Sequence, residues 1–145
     1  MTALAIPEYL RVQLYAHAIA AFPDEACGYL TGPHAANAVD ALVACRNAQP
    51  DGGHPLTPER GADTGFVIAG AELLAFARTF GSAAPARIVY HSHTNGRAYL
   101  SEVDRQMAIG SAYPVQHLVL GVTVNEVTVV AQFDFDLVEV ARWKP

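Results

Sequence analysis

The chain has 145 residues, enough for one domain with a sizeable core, and at 52% hydrophobic and 16% charged it lies far from a disordered composition. The length excludes a TIM barrel, which needs at least about 200 residues, and no apolar run reaches the roughly 18 residues that suggest a membrane span. Nine Lys and Arg against 14 Asp and Glu leave a net charge of −5, without the basic footprint of a nucleic-acid binder. The expectation is a single domain over residues 1–145, with neither nucleic acid nor membrane among its partners.

Met1 to Pro7 has no basic stretch followed by an apolar run, so no secretory signal is expected there and the cytoplasm is the expected compartment. Pro7 suits the first turn of a helix. Leu10, Leu14, Tyr15, Ala18, Ile19 and Phe22 then recur at helical spacing until Pro23 and Asp24. Cys27 to Gly32 reads as a short strand, and Ala38 to Cys45 as a second. The two cysteines, Cys27 and Cys45, are too few for a disulfide framework and are expected to be buried free thiols. Asn47 to Gly65, rich in Pro and Gly, is a long loop of the kind that is usually functional or mobile. Phe66-Val67-Ile68 reads as a short strand, followed by a helix with Leu73, Phe76, Ala77 and Phe80 on one face and Gly81 as its stop. Arg87 to His91 is a buried strand. Thr94 to Leu100 is a loop, and a helix runs from near Ser101 to about Ala112. Gln116–Val124 and Glu126–Phe135 read as neighbouring antiparallel strands, and Leu137–Trp143 as a last strand. This order suggests an α/β sandwich with a mixed sheet.

The segment that carries chemistry is His91-Ser92-His93, a gap of seven residues, then Ser101-Glu102-Val103-Asp104. Residues i and i+2 of a strand point to one face, so both imidazoles can aim at one point. The loop can fold Asp104, in the first turn of the next helix, back over them. Two His and one carboxylate are three ligands for zinc and leave the fourth tetrahedral position open, the pattern of a catalytic site. A structural alternative stands beside this one. Ser101-x-x-Asp104 is also a helix capping box, in which the acid satisfies the helix end. The two readings agree for Ser101 and compete for the carboxylate of Asp104.

The combined pattern resembles the signature of the JAMM (MPN+) zinc metalloproteases. Pro23-Asp24-Glu25-Ala26-Cys27-Gly28-Tyr29-Leu30-Thr31-Gly32 resembles that family's first motif, especially in its compact bacterial members, and the likeness spans roughly Ile6 to Val140. The resemblance implies a cytidine-deaminase-like α/β fold, a mixed central sheet flanked by helices. It implies that His91, His93 and Asp104 bind Zn2+, that Glu25 is the general base, and that Ser101 hydrogen-bonds the oxyanion. It departs from the family at Thr94 and Leu100, where prolines are usual, which bears on the loop between them rather than on the ligands. His17, His34 and His117 are read as non-ligands, and so is His54, although its loop is expected to border the site.

Three functions follow for comparison. The first is a zinc peptidase or isopeptidase acting after the C-terminus of a ubiquitin-like or sulfur-carrier protein, the substrate class the resemblance implies. The second is a non-catalytic MPN-type scaffold, against which the full ligand set argues. The third, a zinc deaminase, requires a CxxC that this chain lacks. A homodimer is left open.

Overall fold

The computed structural model describes residues 2–145. Its core is one six-stranded sheet in the order β2-β1-β3-β4-β5-β6, formed by β1 (Cys27–Thr31), β2 (Ala41–Cys45), β3 (Ala86–His93), β4 (Gln116–Val122), β5 (Val127–Phe133) and β6 (Glu139–Trp143). Every neighbouring pair is antiparallel except β3 and β4. A parallel pair cannot be closed by a tight turn and needs a crossover. Here that crossover carries α3 (Glu102–Ser111), which brings the start of a helix back over the end of β3. The expected α/β architecture with a mixed sheet is the one observed.

The sheet is clothed differently on its two faces. On one, α1 (Glu8–Ala21) lays Leu10, Leu14 and Ala18 onto Leu30, Ile88, Tyr90, Leu118 and Leu120, all buried. The spacing of four in the helix and of two in the strands makes this the main core. On the other, α2 (Gly70–Thr79) buries only Phe76, and α3 buries none of its residues. Leu73, expected on the apolar face of α2, is 40% exposed, because α2 borders a cleft rather than packing flat on the sheet. Cys27 and Cys45 stand opposite each other across β1 and β2 as buried free thiols, and burial pushes each up to about 12.

Two expectations are corrected. Phe66-Val67-Ile68 is not a strand: Val67 accepts from the Ala48 N–H at 2.9 Å and otherwise meets the Asn47 side chain, so no ladder forms. β2 begins at Ala41 rather than Ala38, because Ala38 forms an isolated bridge to Ala5 instead. Among the described residues, no helix is long and apolar enough to cross a membrane.

Candidate metal centre

His91 and His93 end β3 on one face, and Cys27 pairs with His91 in the antiparallel neighbour. Two residues upstream of Cys27, Glu25 therefore falls on the same face beside His93. Ser92, between the histidines, points the other way and is fully buried. Its Oγ accepts from the Ala26 N–H at 2.7 Å, and its N–H donates to the Ala26 carbonyl at 3.0 Å. The residue next to Glu25 is thus pinned to the residue between the histidines. One ligand atom from each of Glu25, His91 and His93, all buried, lies within 4.8 Å of the others.

Asp104 completes a tighter triangle. His91 Nε2 and His93 Nε2 are 3.1 Å apart, and each lies 3.1 Å from Asp104 Oδ2. Donors held tetrahedrally at about 2.0–2.1 Å from one ion stand roughly 3.3–3.4 Å apart. A small divalent cation therefore fits this donor set, with Glu25 beside it. The same Oδ2 accepts the Ser101 N–H at 2.9 Å, while Ser101 Oγ accepts the Asp104 N–H at 3.1 Å. The capping box and the convergence on the histidines thus coexist. A carboxylate oxygen can accept from several directions, so the two readings of Asp104 are not exclusive.

The electrostatics follow from burial and proximity. Burial pushes Glu25 up to about 7, with His91 pulling it down and Asp104 pushing it up. Burial also pushes Asp104 up, but the charge of His91 and the hydrogen bonds from His91, His93 and the Ser101 backbone outweigh it and hold the carboxyl well below its usual range. Burial lowers His91, and Asp104 more than reverses that. His93 stays lowered, chiefly by burial. Phe66 stacks on the His91 ring at 4.4 Å, and Tyr99 packs edgewise on His93 at 4.5 Å.

The centre opens into a cleft of about 700 Å³. One wall is the long loop, which contains a 3-10 turn at Gln49–Asp51. Asn47 ties that loop to the site: its side-chain amide donates to the carbonyls of Glu25, Ala62 and Gly65 at 3.0, 3.3 and 2.9 Å. His54 is buried and lines the cleft, but its Nδ1 accepts from the Leu56 and Thr57 N–H groups, so it organises the loop. The loop from Thr94 to Leu100 is tied down as well. Gly121 lies opposite His93, and a Cβ there would stand 2.7 Å from the Gly96 and Arg97 backbone. His17 bonds Tyr90 on the far face and His34 is exposed. Asn47, Phe66 and His117 reach the site from segments remote from the motif, and Tyr99 from the loop inside it, so the spacing of the motif marks none of them.

The sequence model of the prokaryotic homologs of the JAB domain matches residues 7–136. Among functionally curated proteins none matches the chain. A protein from Desulfitobacterium hafniense, known from a solution structure, superposes with a TM-score of 0.59 at 20% identity, over 97% of this chain and 88% of that one. A protein from Salinibacter ruber gives 0.58 at 19% identity, over 100% and 88%. A JAB1/MPN domain protein from Archaeoglobus fulgidus, known from a crystal structure, gives 0.52 at 17% identity, over 97% and 95%. At these identities the likeness to solved structures is one of fold. The matched span takes in every element from α1 to β5 together with Glu25, His91, His93, Ser101 and Asp104, and the chain belongs to the family of prokaryotic homologs of the JAB domain.

Proposed function

We propose that the protein is a zinc-dependent peptidase or isopeptidase, with His91, His93 and Asp104 as the metal ligands. The observation that carries this reading is the 3.1 Å triangle of two imidazole nitrogens and one carboxylate oxygen beside a buried Glu25. Nitrogen and oxygen donors in a three-ligand set, with the cleft open on the fourth side, suit a catalytic zinc. When bound, the ion supplies Lewis-acid polarisation of a carbonyl and lowers the pKa of a water in contact with it.

The chain's own residues do the rest. Glu25 takes a proton from the attacking water as its oxygen adds to the scissile carbonyl carbon. Ser101, at the mouth of the cleft, turns its hydroxyl to the oxyanion of the tetrahedral intermediate. As the C–N bond breaks, Glu25 returns the proton to the leaving nitrogen, and a carboxylic acid and an amine leave, the acid then passing its proton to the amine or to water. The substrate class is the C-terminal tail of a ubiquitin-like or sulfur-carrier protein, joined through its last glycine to an amine. An extended tail without side chains is the kind of chain that can thread between the loop at Asn47–Gly65 and the start of α3.

The test is metal content together with cleavage of fusions to β-grasp proteins ending in Gly-Gly. About one zinc per chain and hydrolysis after the last glycine are expected. Glu25→Gln should retain the metal and lose about 10²–10⁴-fold in rate. Full activity in that variant rules out the base assignment. Zinc without hydrolysis of any fusion favours the non-catalytic scaffold.

A further inference from the structure

The cleft continues past the metal centre. From His91 its wall runs back along β3 to Val89 and across the parallel pair to His117, which stands opposite Val89 in register and so on the same face as His91 and His93. One strand across and two residues back puts the His117 backbone on the order of 8 Å from that of His91. The roof of this arm is α3, whose Met107 and Ala108 face the cleft instead of packing on the sheet. Its far wall is Phe76, with Tyr113 edge-on at 4.9 Å and 89°. His117 is set in the floor of this mainly apolar arm. Its imidazole has no hydrogen-bond partner among the described residues, and burial, with His91 adding to it, pushes it down to about 4. The ring is therefore neutral near pH 7 and offers one donor and one acceptor nitrogen.

We infer that this arm is a binding pocket for an aromatic side chain with a hydrogen-bonding tip, tyrosine or tryptophan, supplied by the substrate residue that follows the scissile bond. Aromatic walls and a thioether favour an aromatic occupant. The tip is required because an occupant that cannot pair with His117 buries a ring nitrogen unpaired, and sites built this way reject the analogue that lacks the polar group. The placement after the bond rests on the hydrolytic reading above: a tail ending in glycines brings no side chain on the acyl side. The separation from His91 is one side chain's length, which suits the adjoining residue.

Two measurements separate the pocket from that reading. In the first, p-cresol and toluene, analogues of the tyrosine and phenylalanine side chains, are titrated into ¹⁵N-labelled protein. p-Cresol should shift the amides of Val89, His117 and Met107 saturably and bind about tenfold more tightly than toluene, which corresponds to about 1.4 kcal/mol. His117→Leu should bring its affinity down to that of toluene. Ala108→Phe, filling the arm from the helix, should abolish binding of both. Equal affinities in the wild type, or saturation at another surface, overturn the pocket, and that comparison needs no variant. In the second, Gly-Gly fusions carrying Tyr, Leu, Ala or Asp after the bond are compared. Tyr should be preferred in kcat/KM, with KM rising in His117→Leu. Cleavage indifferent to that residue overturns the substrate assignment while hydrolysis stands. If p-cresol binds as expected and no fusion is cleaved, the pocket stands and the hydrolytic reading falls.

Discussion

Asp104 Oδ2 meets the Ser101 N–H at 2.9 Å and two imidazoles at 3.1 Å, so the first turn of α3 and the candidate metal centre share one atom. Ser101 is double in the same way: its hydroxyl caps the helix and stands at the cleft. Two substitutions separate its jobs. Ser101→Ala should lose roughly 1 kcal/mol of stability, Ser101→Gly only a few tenths. Both remove the donor and should slow turnover about 10²–10³-fold with the metal retained. If turnover follows melting temperature instead, and the Gly variant is nearly as active as the wild type, Ser101 is a cap only. His117 gives a pH signature. Its folded-state pKa of about 4 lies below the ordinary 6.5, so the unfolded chain binds the extra proton between these values. Stability should therefore fall as pH drops through that window and level off below it. Chemical denaturation with a chelator present should show a flatter profile for His117→Leu. Identical slopes contradict the depressed pKa.

At the scale of elements, the site is a junction of three segments. The end of β3 carries the histidines, the start of α3 carries the carboxylate, and the segment leading into β1 carries Glu25. The β3–α3–β4 crossover forces the helix start onto the strand end. The long loop is held to Glu25 by the Glu25 N–H, which donates to the Ala62 carbonyl at 2.8 Å, and by the Asn47 side chain, which donates to the Glu25, Ala62 and Gly65 carbonyls. Asn47→Ala leaves these carbonyls short of a donor and should cost about 1–3 kcal/mol. Hydrogen exchange should accelerate at Glu25, whose N–H bonds Ala62 in this loop, and at Ala48, whose N–H bonds Val67 just past it, and stay unchanged in β4 and β5. Exchange unaltered at Glu25 places the tie elsewhere.

Across the whole molecule the two faces of the sheet divide the work. The α1 face is a close-packed core; the other trades burial for a cleft, with α2 and α3 standing beside it. That face gains stability from whatever binds there. With zinc at a free concentration 100-fold above its Kd, the folded state gains about 2.7 kcal/mol. For a chain of this length, chelation should lower Tm by roughly 5–10 °C. A scan that does not change when zinc is removed and restored counts against a metal bound in the folded state.

The helical spacing of Leu10, Leu14 and Ala18, the β-branched run before His91, and the Ser101-x-x-Asp104 cap are local patterns, so the sequence alone determined α1, most of β3 and the start of α3. The alternation in His91-Ser92-His93 likewise determined that two imidazoles share a face, because pleating is a local property. What only the tertiary structure decided was long-range. It brought Glu25 beside His93 through the Cys27–His91 register, and it let one Asp104 oxygen serve both helix and histidines. It denied Phe66–Ile68 a strand partner, and it placed His117 and Phe76 in the same cleft as the two histidines and Asp104. Each of these depends on pairing or packing between segments remote in the chain, and no short window of sequence records which remote segment fills the space beside it.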